Sequence, residues 1–262
     1  MKTYLDLAKK VLAEGVMRPT RTGINALSVF GTRLEHDMSE GFPLLTTKKM
    51  FFKGCVHELL WFLSGSTNVN YLKENGVHIW DAWADSAGNL GPVYGKQWVS
   101  YGDRGINQVA NAVNLIKHNP YSRRIIIDAW KVDELHQMAL PPCHILYQFY
   151  AEPMSRQLSL QVYMRSADVF LGVPFDIAEG GLLLALVAKV TGYTPDKLVY
   201  CFGDTHIYEN HIDQMKEQVE RKPLSLPTIE LAHKDSVFDY KFDDIKLINY
   251  TSHKALKGLV AV

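Results

Sequence analysis

The chain has 262 residues, with 28 lysine plus arginine against 28 aspartate plus glutamate, so no net charge draws it toward nucleic acid or an anionic membrane. That length buries a substantial core, as one large domain or as two, and no linker, charge block, repeat or low-complexity tract marks a boundary. Three cysteines, Cys55, Cys143 and Cys201, lack metal-ligand spacing and cannot all pair within one chain, which fits a reduced, cytoplasmic protein with no metal.

Residues 1–10 lack the apolar core of a signal peptide, and Leu5, Ala8, Leu12 and Val16 recur at helical spacing, predicting an amphipathic first helix. Residues 26–34 turn strand-like. Residues 50–63 read as a helix with a broad apolar face, closed by Ser64-Gly65, and residues 108–117 as another, stopped by Asn119-Pro120. Strands are expected over 125–127 and 145–150. Over 157–165, Leu158, Leu160, Val162 and Met164 share one face while Ser159, Gln161, Tyr163 and Arg165 share the other. The most apolar run, 181–188, falls short of the ~20 residues a bilayer requires, so 179–190 is expected as a buried central helix and no membrane span is expected. A strand over 198–202 and a helix over 209–219 follow. This mixed order predicts an α+β fold, a large mixed β-sheet covered by helices on one face.

Three features stand apart from the core pattern. Cys143 follows Pro141-Pro142, which fix the backbone, and precedes a strand beside His144. A thiol held in this way is a nucleophile where positive charge lowers its pKa, and a structural cysteine otherwise. Arg123-Arg124, after Pro120-Tyr121-Ser122, and Arg165-Ser166, at a strand end, suit bidentate oxyanion binding, although any one of them alone could be a solvated charge. Glu58 lies among Val56, Leu59, Leu60, Phe62 and Leu63, where a carboxylate is costly unless it is paired or functional; a salt bridge at the helix edge is the alternative for a Glu taken in isolation.

Taken together, the motifs resemble thymidylate synthase. They are Arg21-Thr22-Gly23, Pro43-Leu44-Leu45-Thr46-Thr47-Lys48, His57-Glu58-Leu59-Leu60-Trp61-Phe62-Leu63, Gly91-Pro92-Val93-Tyr94-Gly95-Lys96-Gln97-Trp98, Pro141-Pro142-Cys143-His144, the run from Gln161 to Phe175, Gly203-Asp204-Thr205-His206-Ile207-Tyr208 and the ending Ala261-Val262. The resemblance implies a single catalytic domain over residues 1–262 and a homodimer whose sheets face each other. It implies that Arg21, Arg123, Arg124 and Arg165, with Ser166, grip one nucleotide phosphate, Arg123 and Arg124 reaching across from the other subunit. Cys143 would add to C6 of the pyrimidine, with Arg165 lowering the thiol pKa, and Glu58, Tyr94 and His144 would order water for proton transfers. The reduced folate, 5,10-methylenetetrahydrofolate, would stack against Ile79, Trp80, Trp83, Leu171, Gly172 and Phe175. Asp168 would hold the pterin edge, Lys48 the glutamate tail, and the carboxyl terminus at Val262 would close over the site. His206 and Tyr208 would bind the sugar 3′-hydroxyl. No nucleic acid is required as a partner.

One position departs from the family pattern: its Pro-Phe-Asn-Ile reads Pro174-Phe175-Asp176-Ile177. An asparagine amide donates to O4 of uracil and accepts from N3–H, whereas cytosine reverses both demands. A protonated Asp176, or an ionised one facing protonated N3, suits cytosine, and the related deoxycytidylate hydroxymethylases carry Asp at this place. The expected substrate is therefore dCMP, with conversion of dUMP to dTMP as the alternative. The product is methyl if Trp80 and the chain end exclude water, or hydroxymethyl as in the cytosine-reading relatives. Met164, in place of a common Gln, and Glu179-Gly180, in place of a Ser-Tyr-like pair, are further departures. A catalytically idle nucleotide- or RNA-binding relative would have no need of Cys143, Glu58, Tyr94 and Arg165. A Cys143–His144 hydrolase is disfavoured because neighbouring strand residues point to opposite faces.

Overall fold

The structure, a computed structural model, describes residues 1–260; the expected cap at Val262 lies outside the described residues. The elements run α1 (Lys2–Glu14), β1 (Val16–Arg18), β2 (Ala26–Asp37), α2 (Phe52–Leu63), α3 (Asn70–Glu74), α4 (Tyr94–Val99), α5 (Gln108–His118), β3 (Ile126–Asp128), β4 (His144–Glu152), β5 (Gln157–Asp168), α6 (Gly172–Thr191), β6 (Thr194–Tyr208), α7 (Ile212–Glu220), β7 (Thr228–Leu231) and β8 (Ile245–Ile248). Six strands form one sheet in the order β1-β2-β6-β5-β4-β3, while β7 and β8 pair separately. Only β5 and β6 run parallel, joined through α6, so the sheet is mixed and the fold is α+β as expected.

The strand β5 carries the predicted alternation, with Leu158, Leu160, Val162 and Met164 all buried. On its other face Gln161 and Tyr163 are exposed, and Tyr150 of β4, which pairs with Ser159, joins them. The central helix α6 is apolar on nearly every side and buried accordingly.

Several boundaries move for identifiable reasons. Helix α1 ends at Glu14 before Gly15, so Val16 lies in the short strand β1 and is 67% exposed instead of continuing the helical stripe. Helix α2 starts at Phe52, two residues later than expected. Helix α6 starts at Gly172, well before residue 179, because Pro174 falls in its first turn, where no N–H is needed. It ends at Gly192, whose φ of 72° is the left-handed conformation of a helix stop. Strand β6 runs 15 residues, taking His206 and Tyr208 into the sheet, and residues 209–211 form a 3₁₀ turn before α7. Longer strands than expected at β4 and β5 bring His144 and Asp168 into the sheet as well.

Candidate active site

Cys143 enters β4 with its backbone held from two sides. Its N–H donates to the Tyr94 hydroxyl of α4 at 2.7 Å, and its carbonyl accepts from the Arg165 backbone at 2.9 Å. The Arg165 side chain donates to the Pro142 and Pro141 carbonyls, at 2.8 Å each, and lies over the Trp130 ring at 5.4 Å. Arg165 therefore braces the backbone around Cys143. The expectation of a lowered thiol pKa is corrected here. Arg165 and Arg21 do pull it down, but burial outweighs them, and Asp176 and Asp168 add to the rise, to about 11. The resting thiol keeps its proton.

His144 faces away from that thiol. Its ring stacks on Tyr94 with centroids 4.3 Å apart, Nδ1 is hydrogen-bonded to the Tyr147 hydroxyl, and Nε2 lies 3.6 Å from Asp176 Oδ1. Residues 144 and 147 would point to opposite faces of a regular strand. A register shift between His144 and Leu146 turns both inward. Burial lowers the His144 pKa to about 3, so the ring is neutral. Burial, with the charges of Glu58 and Asp168, holds the Asp176 carboxyl well above the usual carboxylate range. The contact between them is one of neutral groups and not an ion pair.

Asp176 is positioned from its backbone too: the Tyr200 hydroxyl donates to its carbonyl oxygen. Only glycine at position 180 permits this, since a Cβ there would come within 2.2 Å of that hydroxyl. Glu58 is 9% exposed and forms no salt bridge among the described residues; its Oε1 accepts from Trp80 Nε1 at 2.5 Å. As expected from its setting, burial raises its pKa. Met164 is buried, paired with His144 on one side and Phe202 on the other.

The apolar wall comes from two stretches of chain. Trp80 and Trp83 meet edge to face at 5.8 Å, and half-buried Ile79, Leu171 and Phe175 pack against the same core. Gly172 opens α6, and a Cβ on it would lie 3.4 Å from Asp176 Oδ2 and 3.6 Å from Asp168 Cβ. Asp168 Oδ1 accepts the N–H groups of Phe170 and Leu171 at 2.9 and 3.2 Å. Lys48 is buried and donates to the Phe170 carbonyl, its ammonium 4.0 Å from the Phe170 ring; burial lowers its pKa to about 8. It is tethered inward instead of extending toward solvent.

His206 Nδ1 lies 3.1 Å from Asp204 Oδ1, and its ring meets Tyr208 edge to face at 5.0 Å. Ser166 pairs with Asp204 across β5 and β6. Arg21 sits in the turn before β2 and acts electrostatically on both Cys143 and Tyr208. Arg123 and Arg124 are exposed in the turn between α5 and β3. Cys55 is buried and Cys201 half-buried; neither forms a disulfide. No cluster of three metal-ligating side chains and no helix long and apolar enough to cross a membrane occurs among the described residues.

Tyr147, Trp130, Tyr200 and Asp204 contact His144, Arg165, Asp176 and His206, and sequence reasoning had not singled them out. The bulge hid Tyr147, whereas Asp204 could have been found from its two-residue spacing to His206 on one strand. Trp130 and Tyr200 carry no local signal. The family model for thymidylate synthase matches residues 2–262. A match of that extent makes this chain a member of the thymidylate synthase family, whose one-carbon donor is 5,10-methylenetetrahydrofolate and whose acceptor is a pyrimidine nucleotide.

Proposed function

We propose that this protein transfers a one-carbon unit to C5 of dCMP, with Asp176 reading the base. The observation that carries this reading is the enclosed carboxyl of Asp176, 14% exposed with Oδ1 3.6 Å from His144 Nε2, where burial and the neighbouring acids favour the neutral form. A neutral carboxyl offers one donor and one acceptor, the pair that cytosine N3 and its 4-amino group demand. With its proton on the other oxygen the same group can serve uracil, and that favours the second reading, conversion of dUMP to dTMP. His144 Nε2, beside Oδ1, is the group that biases which oxygen carries the proton.

The chain's own residues divide the work. Arg21 and Arg165, with Ser166, meet the phosphate, and His206 and Tyr208 the sugar. Cys143 gives its thiol proton to solvent water and forms the Sγ–C6 bond, while the C5–C6 π pair moves toward C5, making that carbon nucleophilic. Tyr94 holds the Cys143 backbone in place for this attack. Glu58 handles the proton transfers at the base and His144 aligns Asp176. The residues present fit a reduced folate: an edge-to-face tryptophan pair walls the site, and Gly172 keeps space beside Asp168 that a side chain would fill. Trp80, Trp83, Ile79, Leu171 and Phe175 would hold its ring system, with Asp168 at the pterin edge and Lys48 toward the tail. When bound, methylenetetrahydrofolate supplies the one-carbon unit and, for a methyl product, the hydride. Trp80, 7% exposed and held by Glu58, keeps water from the site, which supports methyl over hydroxymethyl.

The unbroken match over residues 2–262 supports a single catalytic domain, and three unpaired cysteines support a cytoplasmic enzyme. Exposed Tyr150 and Tyr163 on the outer sheet face, with exposed Arg123 and Arg124, support a homodimer in which those arginines complete the partner's phosphate site. Arg124→Ala should then lose activity through weakened nucleotide binding. Mixing it with a Cys143→Ser variant should restore part of that activity, because one of the two sites in a mixed dimer regains both residues. Verified mixed dimers without recovery would count against the shared site. The substrate is tested by the mass of the product from dCMP, dUMP and CMP with methylenetetrahydrofolate: a gain of one methyl or hydroxymethyl group on dCMP, in preference to dUMP, is expected.

A further inference from the structure

We infer that Glu179 is the proton partner of Glu58: the two carboxyls hold one proton between them, and Glu179 acts as a positioning residue for proton transfer at the site. The inference rests on the reading of Glu58 as the residue that handles those protons.

The two side chains come from different helices, Glu58 from α2 and Glu179 from α6, and their carboxyls are in hydrogen-bonding contact. Both are nearly enclosed, 9% and 6% exposed. Two ionised carboxylates in such a place would repel each other and neither would have a donor, so the contact requires a proton. Its position follows from the other bonds. Glu58 receives the Trp80 indole N–H at 2.5 Å, which favours charge on Glu58. Glu179 has no such donor: apart from the Glu58 carboxyl, its buried Oε1 has no hydrogen-bond partner among the described residues. The proton therefore resides on Glu179 and is donated to Glu58.

Burial raises both pKa values. The donors from Glu179 and Trp80 draw Glu58 back down, whereas the charge on Glu58 drives Glu179 further up. Every titratable group that acts on the pair, or is acted on by it, is an acid: Cys55 of α2, Asp176 of α6, Tyr94 of α4, Tyr147 of β4 and Tyr200 of β6. No cation contributes to either carboxyl among the described residues, and His144, on the far side of Asp176, is neutral. Glu179 thus supplies what a buried Glu58 lacks, a donor that favours its ionised form, together with a second proton one transfer away.

The test follows the Trp80 indole ¹⁵N–H resonance of the full-length, nucleotide-free protein against pH, assigned with Trp80→Phe. In Glu179→Leu, Glu58 loses its donor, and the pH at which the resonance titrates should rise by at least about one unit. In Glu179→Gln the amide still donates, so the lower titration step should stay where it is in the unaltered protein. The higher step, loss of the Glu179 proton, should vanish. The acid limb of kcat should move with the Leu substitution and return in Gln. Equal titration in all three proteins would overturn the proposal, as would a higher step that persists in Gln, which suffices should the Leu variant fail to fold. A Trp80 titration that moves while the acid limb stays fixed would overturn the role in proton transfer. None of these readings depends on whether dCMP or dUMP is the substrate, so failure of the cytosine reading leaves them intact.

Discussion

Cys143→Ser should abolish turnover, by more than about a thousandfold, while the nucleotide dissociation constant changes no more than a few fold. The two effects separate because different atoms produce them. The phosphate and sugar contacts proposed for Arg21, Arg165, Ser166, His206 and Tyr208 do not involve sulfur. The backbone of residue 143 is fixed by Tyr94 and Arg165 whatever its side chain. A serine hydroxyl in that place is far harder to ionise than a thiol, and burial already raises the thiol to about 11. Steady-state turnover beside equilibrium titration of nucleotide checks both. Retention of even a tenth of the original turnover would mean that the sulfur forms no bond to the substrate.

Asp176→Asn should move preference from dCMP toward dUMP by at least about tenfold in relative kcat/KM. Each mismatched buried polar pair costs ~1–3 kcal/mol, and the change affects both base-reading contacts. The amide restores a donor for O4 and an acceptor for N3–H. It also takes from the site a carboxyl whose pKa burial, with the charges of Glu58 and Asp168, holds well above the usual range. The pH profile provides a second reading. Turnover of dCMP should fall as pH rises through the Asp176 pKa, because the donor to N3 is then lost; in the Asn variant that alkaline loss should be absent. An unaltered protein that prefers dUMP, with no swing in the variant, would leave an ordinary thymidylate synthase that tolerates a carboxylate.

Much of this was legible in the residues. The alternation of β5 placed Leu158, Leu160, Val162 and Met164 inward because half-buried strands advertise themselves with period two. Glu58 stood out because a carboxylate amid leucines has few explanations, and burial confirms the direction of its pKa. The thiol pKa was misjudged because a guanidinium can be inferred from the sequence, whereas desolvation depends on everything packed around the sulfur. The start of α6 was missed because Pro174 reads as a breaker until its place in the first turn is known. The pairing of Glu58 with Glu179 joins residues 58 and 179 through helix packing, and no local pattern reports that.

The bulge at the start of β4 gives the segment from Cys143 to Tyr147 a role as a spacer. One extra residue there lets the thiol leave on one side while His144 and Tyr147 both turn to the other. Ile145 has no partner on β5, since His144 pairs with Met164 and Leu146 with Tyr163. Removing it would close a regular ladder with His144 and Tyr147 still on the buried face. A deletion at Gln148, inside that ladder, would instead turn every later side chain over, exchanging the buried Phe149 and Ala151 for their outward neighbours. The residue count is thus elastic at one point of this strand, and a single-residue deletion at Ile145 should be the mildest in β4.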